Sequence, residues 1–267
     1  PSDAQANFVY ALELMLNLFE DNSSRSLKAL AISLGAAERI GSFSLPDIWL
    51  EGLDYGKEVN ASFDYAKIET YLEQTFLKTL EIADLHLSRI NSSTTYVTLT
   101  QDLTGLEQIT YADIGDVYML RAMIKGITGL AQIMLSHEWP MTAGKAKALH
   151  DAGIVNMESL FDSSVNFGKL KKPNSLLAAK ESLQSAVTLY NSASGILRSR
   201  MTSTRFFNLS AEDLIQEAQF RLDLGHALAS FDYQYDMNTS NSSQKDAFHL
   251  SKLFGSKVDL ASALPPA

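Results

Sequence analysis

Two aspartates and an arginine near the middle of the chain are the residues whose types and spacing could do chemistry. Asp113 and Asp116 lie three positions apart where a long apolar stretch begins. That stretch predicts a helix, with Thr110 as its cap and Asp113 at its third position. Residues at i and i+3 share one helical face, so the two carboxylates are expected to be neighbours. Together with Tyr118 and Arg121 they form the candidate binding site. The alternative is structural, because acids in a first helical turn also stabilise the helix dipole.

Arg121 is a cation in a helix whose other residues between 114 and 135 are almost all apolar. Its position around the helix differs from those of Asp113 and Asp116, which argues against a simple salt bridge within the helix. Such an arginine is expected to pair with a buried carboxylate from another helix, as a structural anchor. Breaking such a pair costs about 3–5 kcal/mol, so the sequence predicts that Arg121→Leu destabilises the fold. A role in ligand binding is the alternative.

Other kinds of chemistry find little support in the sequence. The chain has no cysteine, which excludes disulfides, thiolate metal sites and a cysteine nucleophile. Its five histidines show no HExxH spacing, and it contains no glycine-rich phosphate loop and no GxSxG motif. Residues 236–247 begin like a calcium-binding loop, but Asn241 stands where glycine is required and Ala247 where glutamate is required. The sequence therefore predicts no metal, no cofactor and no catalytic residue, and it favours a non-enzymatic protein.

The charge balance limits the classes of partner. Lys and Arg number 22 and Asp and Glu number 31, which gives a formal net charge of −9. Such a chain lacks the cationic surface that nucleic acid requires, so no nucleic-acid partner is expected. The most apolar stretch, residues 117–135, contains Arg121 and Lys125, and charges at such depths oppose insertion into a membrane. We therefore expect a chain that does not span a membrane and that has another protein as its partner, with the oligomeric state left open.

Hydrophobic periodicity predicts that every long element is a helix, which places the chain in the all-α class. The expected architecture is a bundle of about six to eight helices in a single domain over residues 1–267, with a weak subdivision near 163–173 as the alternative. The helix at 114–135 is apolar on nearly every face, which predicts a central position that is buried all round. One short β segment is expected near 96–100, and a polar loop at 236–245. Helices are expected at about 2–21, 24–34, 64–90, 110–138, 142–152, 157–161, 174–201 and 210–233.

Capping residues mark the starts of three further helices. Ser2 with Gln5 has the spacing of a capping box, in which two side chains satisfy backbone N–H groups reciprocally. Asp64 is the expected cap of the helix at 64–90. Ser210 and Asp213 are expected to cap the last long helix in the same way.

Three segments carry a resemblance to a known kind of protein. Residues 1–8, PSDAQANF, resemble the junction between tetratricopeptide repeats, where a proline precedes a new helix. Residues 113–122, DIGDVYMLRA, resemble a central helix of uncharacterised bacterial exported proteins, often lipoproteins with a tetratricopeptide-like N-terminal part. Residues 250–255, followed by 258–260 and 264–265, are similar to the way these proteins end, although Ala261 and Ala263 stand in a stretch where an arginine is expected. The resemblance implies tetratricopeptide-like helix pairing at the N-terminus and a periplasmic, outer-membrane-associated or extracellular location. It implies no catalytic residue.

Two functional hypotheses follow. The first is a non-enzymatic helical interaction or scaffold protein of the bacterial cell envelope or exterior. The second is a small-ligand-binding protein or an enzyme, with a pocket between helices near the start of the helix at 110–138. The chain begins at Pro1 in place of an initiator methionine, so we expect a processed or truncated product, with a lipid anchor upstream as one route of attachment.

Overall fold

The computed structural model describes residues 3–19, 26–33, 64–91, 96–100, 110–139, 142, 168–200, 205–231, 235–237, 246–248 and 254. Helices make up most of these residues, so the predicted all-α class is confirmed. Six helices lie in the described part of the chain. They are α1 (Ala4–Phe19), α2 (Leu27–Ser33), α3 (Tyr65–Tyr71, Leu72–Phe76 and Leu77–Ser88, continuous), α4 (Ile114–Ser136), α5 (Pro173–Arg198) and α6 (Ala211–Ser230).

Two of these three predicted helix caps are confirmed, and the capping box of Ser2 with Gln5 stays a prediction. The Asp64 carboxylate accepts a hydrogen bond from the Ala66 N–H (3.0 Å) at the start of α3. Ser210 and Asp213 form a capping box at the start of α6. At α1, however, Asp3 is the residue whose carboxylate accepts from a first-turn N–H, that of Ala6 (3.1 Å). Gln5, predicted to be the partner of Ser2 in a capping box, has its side chain bonded elsewhere. Ser2 itself lies outside the described residues.

The middle of α3 is a π-helical turn, Leu72–Phe76. The Leu77 N–H bonds to the Leu72 carbonyl, five residues back, where a regular α-helix would use four. Leu72 and Phe76 are both buried in the core, so the wider turn keeps the apolar face of α3 continuous with the helical segments on either side. Turns of this kind are uncommon and often occur at functional sites.

Two short antiparallel ribbons accompany the helices. The β segment predicted near 96–100 is confirmed as β1 (Val97–Leu99), which pairs with β2 (Thr110–Ala112). A second ribbon joins β3 (Tyr235–Met237) to β4 (Asp246–Phe248). The sequence predicted a polar loop at 236–245 and at most one β segment, so the second ribbon corrects that expectation. Strands of three residues are too short to show a clear alternation of apolar and polar side chains.

The helix α4 lies at the centre and packs along α5 over much of its length. At Gly129 the two helices approach so closely that a Cβ would lie 2.6 Å from Leu183 Cγ. On the other side α3 contacts both α4 and α1. The prediction that α4 is buried all round is wrong, because Met123 and Leu130, seven residues apart on one face, are exposed.

The apolar core has two clusters. The larger one joins α1, α2, α3, the first ribbon and α4. The smaller consists of Leu176, Ala179, Phe231 and Phe254, with Ile133 of α4 packed against it. Because α4 contributes to both clusters, it links the two parts of the core.

Several predictions concern residues outside the described ranges. Of the helix expected at 142–152, only Thr142 is described, in a backbone bridge with Asp64. The turn at 157–161 and nearly all of the C-terminal tail lie outside. The tetratricopeptide-like pairing at the N-terminus stays a prediction, because residues 34–63 lie outside as well. The single domain also stays a prediction, although α4 and α5, on either side of the alternative boundary at 163–173, pack on each other.

Candidate functional site

Asp113 and Asp116 close the N-terminus of α4 as a capping box. Asp113 is the N-cap, and its Oδ1 accepts a hydrogen bond from the Gly115 N–H (2.7 Å). Asp116 Oδ2 accepts one from the Asp113 N–H (2.8 Å). The expected proximity of the two carboxylates is therefore confirmed. The expected cap is wrong, because Thr110 belongs to β2 and the helix begins only after Asp113.

Arg200, beyond the end of α5, binds both carboxylates. Its Nη1 and Nη2 donate to Oδ1 and Oδ2 of Asp116 (2.9 and 3.0 Å), and Nη2 also bonds to Asp113 Oδ1. The side chain of Arg200 is 8% exposed and that of Asp116 is 0% exposed. A planar guanidinium matches a carboxylate in this two-pronged way, and burial strengthens the attraction. We call Asp113, Asp116 and Arg200 the arginine clamp.

The arginine clamp also fastens the segment that follows α5. The Phe207 N–H donates to Asp116 Oδ1 (2.9 Å), and the Phe207 carbonyl accepts from Arg200 Nη1 (2.8 Å). A Cβ on Gly115 would lie 2.8 Å from Arg200 Nη2 and 2.8 Å from Ile196 Cγ2, so glycine is needed for this close approach. The start of α4 is thus filled by side chains, and the arrangement is that of a structural anchor between distant parts of the chain.

Arg121 forms a separate ion pair on another face of α4. Its Nε donates to Asp84 Oδ1 of α3 (2.7 Å), which confirms the expectation of a carboxylate from another helix. Lys125 Nζ lies 2.9 Å from the other oxygen of the same carboxylate. The side chains of Arg121 and Asp84 are 21% and 12% exposed, so the pair is mostly shielded from water. This pair holds α3 against α4.

The structure does not bring the four candidate residues into one site. Asp113 and Asp116 bind Arg200, whereas Arg121 binds Asp84. Tyr118 is half-buried and packs against the larger core cluster. The binding role assigned to these four residues stays a prediction.

A third cluster, which the sequence did not suggest, surrounds Glu217 between α5 and α6. The Glu217 carboxylate is buried and accepts hydrogen bonds from Ser194 Oγ and Arg198 Nη1, while Tyr190 Oη donates to it at 3.4 Å. Burial acts to raise the pKa of Glu217, but the hydrogen bonds from Ser194 and Arg198 and the nearby positive charges of Arg198 and Arg221 outweigh it, so this pKa lies below its ordinary value. Burial, together with the Glu217 carboxylate, raises the pKa of Tyr190 to about 12. The only sequence signal was a lone acid on the inner side of an amphipathic helix.

An open groove of about 430 Å³ lies between α2 and α3. Its α3 wall includes Tyr71 and part of the π-helical turn. Burial raises the pKa of Tyr71 well above its usual range. The lining mixes apolar and polar groups: Ala29, Leu30, Ala66, Lys67, Thr70, Tyr71, Gln74 and Thr75. We call this feature the α2–α3 groove.

A second surface feature is the solvent-facing side of the first ribbon. Side chains alternate along a strand, and Val97, Leu99, Thr110 and Ala112 face the core. Tyr96 and Tyr111 are exposed, at 57% and 37%. The Arg205 guanidinium lies over the Tyr96 ring, with Cζ 4.6 Å from the ring centroid. We call Tyr96, Tyr111 and Arg205 the ribbon face.

Two further findings concern the described residues only. They contain no group of three or more His, Asp and Glu side chains placed to hold a metal ion. None of their helices combines the length and the apolar content needed to cross a membrane.

Comparisons with protein-family models, with curated proteins and with solved structures give no match to this chain. Function is therefore inferred from the clusters and surfaces described above.

Proposed function

We propose that this chain is a non-enzymatic helical interaction protein that acts in the bacterial cell envelope or outside the cell. The observation that carries the interaction role is the α2–α3 groove, an open surface feature with a mixed lining. The location is supported by the resemblance of residues 113–122 to a helix of exported bacterial proteins. The three ion-pair clusters support a scaffold role, because each one holds two helical elements together, and the arginine clamp joins residues 84 positions apart.

The chemistry of the groove favours a peptide segment of another protein as its occupant. Ala29, Leu30 and Ala66 offer apolar surface for a side chain of the partner. Gln74 lies beside them, and its Oε1 accepts a hydrogen bond from Lys78 (2.8 Å), which leaves its amide N–H groups to donate. A peptide can make both interactions, because its apolar side chains can pack on this surface and its backbone carbonyl groups can accept hydrogen bonds from Gln74.

A pair of threonine variants tests the groove. Thr70 lines it, is exposed, and bonds through Oγ1 to the carbonyl four residues back (2.9 Å). Thr188 on α5 is also exposed and makes the same bond at 2.9 Å, away from the groove. Thr70→Arg should block the groove, whereas Thr188→Arg is the matched control. Proteins of the native envelope that cross-link to the parent and to Thr188→Arg should be lost with Thr70→Arg.

The result that contradicts the proposal is a set of cross-linked proteins that is the same for all three baits. Melting temperatures within about 2 °C of each other would show that the variants are equally folded, since surface substitutions usually change stability by less than 0.5 kcal/mol. Location is tested separately, by fractionating native cells. Recovery of the protein in the cytosolic fraction alone would refute the envelope assignment.

The volume of the groove favours a small-ligand role as the second candidate. Small-molecule sites usually occupy about 300–1,000 Å³, and the groove falls within that range. The pocket would then lie between α2 and α3, because the start of α4 is filled by Arg200 and Ile196. A ligand at 100 times its Kd adds about 2.7 kcal/mol of stability, so a thermal-shift screen of metabolites would detect it. A shift that disappears in Thr70→Arg would place the ligand in the groove.

A further inference from the structure

Arg205 differs from the other arginines whose contacts are described above. Arg121, Arg198 and Arg200 each bond to at least one carboxylate. Arg205 has no carboxylate partner among the described residues. Its buried Nε has no hydrogen-bond partner there either, which is also true of Arg200 Nε, so the missing carboxylate is what distinguishes Arg205. Arg205 is therefore a half-buried cation with no ion pair among the described residues, in a chain with a net charge of −9.

The position of Arg205 is nevertheless fixed. Its guanidinium stacks over the Tyr96 ring, an arrangement that attracts a cation to the face of the aromatic ring. Its backbone forms a parallel bridge with Tyr111, and the next N–H, that of Phe206, donates to the Tyr111 carbonyl (3.0 Å). The side chain therefore loses little further freedom when it binds a partner, which favours affinity.

Both edges of the ribbon are already occupied. The Gln5 side chain bonds to the Thr98 backbone on the β1 side, through its Nε2 to the carbonyl (2.6 Å) and through its Oε1 to the N–H (3.1 Å). The segment at 205–206 covers the β2 side. A partner therefore cannot add a strand to either edge, and the exposed face is what remains for contact.

We propose that the ribbon face binds an acidic segment of a partner protein, with a partner carboxylate on the Arg205 guanidinium and an apolar or aromatic partner side chain on Tyr96 and Tyr111. This inference rests on the proposed function, that the chain acts by binding another protein. Charge complementarity selects the occupant, because the Arg205 guanidinium lacks, among the described residues, the carboxylate partner that Arg121, Arg198 and Arg200 each have. Tyrosine and arginine are also, with tryptophan, enriched among the residues that dominate the binding energy at protein interfaces.

Selection of peptides from a random display library on the full chain tests the proposal. Peptides that bind should be enriched in Asp and Glu over Asn and Gln. For the best acidic peptide, Arg205→Gln should weaken affinity about tenfold or more, since hydrogen bonds to charged groups are the strong ones. Replacing the key Glu of the peptide by Gln should cost a similar factor on the parent chain and little further on Arg205→Gln. Arg221→Gln, an exposed arginine on α6, is the matched control and should bind like the parent.

Three results would overturn the proposal: no acidic enrichment, equal affinity for Arg205→Gln, or additive losses in the protein and peptide variants. If Arg205→Gln proves unstable, the Glu-to-Gln change in the peptide still tests the proposal, because its effect on affinity is measured on the intact parent chain. Unchanged affinity would then overturn the proposal. Peptides lost with Thr70→Arg but kept by Arg205→Gln would refute the ribbon face and support the groove. A library that yields no binder at all would refute both.

Discussion

Asp116 is the residue on which most of the arginine clamp depends. Its fully buried carboxylate accepts hydrogen bonds from the Arg200 guanidinium and from the N–H groups of Asp113 and Phe207. A buried carboxylate is tolerated only when its charge and its lone pairs are satisfied in this way. The side chain thus joins the start of α4, the end of α5 and the segment before α6.

We predict that Asp116→Asn lowers the melting temperature by about 6–20 °C. The amide keeps the shape of the carboxylate but removes its charge and turns one acceptor into a donor that faces Arg200. Arg200 would keep Asp113 as an anionic partner, so the cost comes from the lost charged hydrogen bonds, about 1.5–3 kcal/mol, and from the amide donor buried against the guanidinium, about 1–3 kcal/mol. Each kcal/mol corresponds to about 2–4 °C for a chain of this size. Thermal melting followed by circular dichroism measures the effect. Asp223→Asn, at an exposed aspartate that accepts from Gln219 (2.9 Å), is the control and should melt like the parent.

For Arg121→Leu the structure predicts a smaller loss than the sequence did. Asp84 would keep Lys125 as a partner at 2.9 Å, so its charge would stay compensated. We expect a loss of about 1.5–3 kcal/mol in the free energy of unfolding, typical of one hydrogen bond to a charged group. The double variant Arg121→Leu/Lys125→Met leaves Asp84 without a cation and should lose more than the sum of the single losses. Urea denaturation of the parent, Arg121→Leu, Lys125→Met and the double variant measures these losses. If the loss in the double variant equals the sum of the two single losses, this account of the site is wrong.

The sequence indicated that a charged side chain in an apolar helix needs a partner of opposite charge, but it did not indicate which residue that partner is. Arg121 required a carboxylate because its helix is apolar, and this was visible locally. Arg200 lies 84 positions from Asp116, and no periodic pattern connects residues at such a distance. Arg205 was missed for the same reason, since its stacking on Tyr96 depends on how the first ribbon folds.

At the scale of the elements, helix starts were predictable wherever a cap is a local signal, as at Asp64 and Ser210. The π-helical turn in α3 was not, because it adds a residue without interrupting the apolar face formed by Leu72 and Phe76. The sequence assigned Gln5 to a capping box, whereas its side-chain amide forms hydrogen bonds with the backbone of β1, more than ninety residues later in the chain. Local patterns therefore gave the elements, and contacts distant in sequence decided how the elements join.

The attachment of α6 to α5 should weaken in acid, and we predict that Glu217 is a main cause. Its pKa in the folded state lies below the value of 4.5 for an unperturbed glutamate, so the unfolded chain takes up the proton more readily. The stabilisation is fully present above about pH 4.5 and is lost as the pH falls through the folded-state pKa. Hydrogen bonds with Ser210 lower the pKa of Asp213, at the start of α6, and act in the same direction.

The measurement compares the parent with Glu217→Gln by urea denaturation between pH 3 and pH 7. The parent should have the larger free energy of unfolding at pH 7. The difference in this free energy between the two proteins should shrink towards pH 3 as Glu217 becomes protonated. Because the two proteins share every other carboxylate, the difference isolates this group. A difference that stays constant across the range would contradict the prediction.

At the scale of the whole molecule, α4 connects both parts of the core. The larger cluster includes its residues Leu120 and Ile124, and Ile133 packs against the smaller cluster near the start of α5. Neither cluster can be disrupted without exposing part of this helix. The chain is therefore organised around α4 and α5, which lie on either side of the alternative domain boundary at 163–173.

We predict that the protein unfolds in one cooperative transition, as expected for a single domain. In differential scanning calorimetry the calorimetric enthalpy should equal the van't Hoff enthalpy, which is the test of two-state unfolding. Two resolved transitions, or a calorimetric enthalpy well above the van't Hoff value, would show that the segments before and after 163–173 unfold independently.

The two hydrogen bonds between Gln5 and Thr98 affect the tendency of the protein to aggregate at high concentration. A side-chain amide carries the same donor and acceptor as a peptide group, so β1 meets the first turn of α1 as it would meet another strand. Unprotected strand edges are templates on which further chains assemble into aggregates. The first turn of α1 therefore shields the molecule from its own copies. Proteolytic trimming of only a few N-terminal residues would expose that template while leaving most of the helical fold in place.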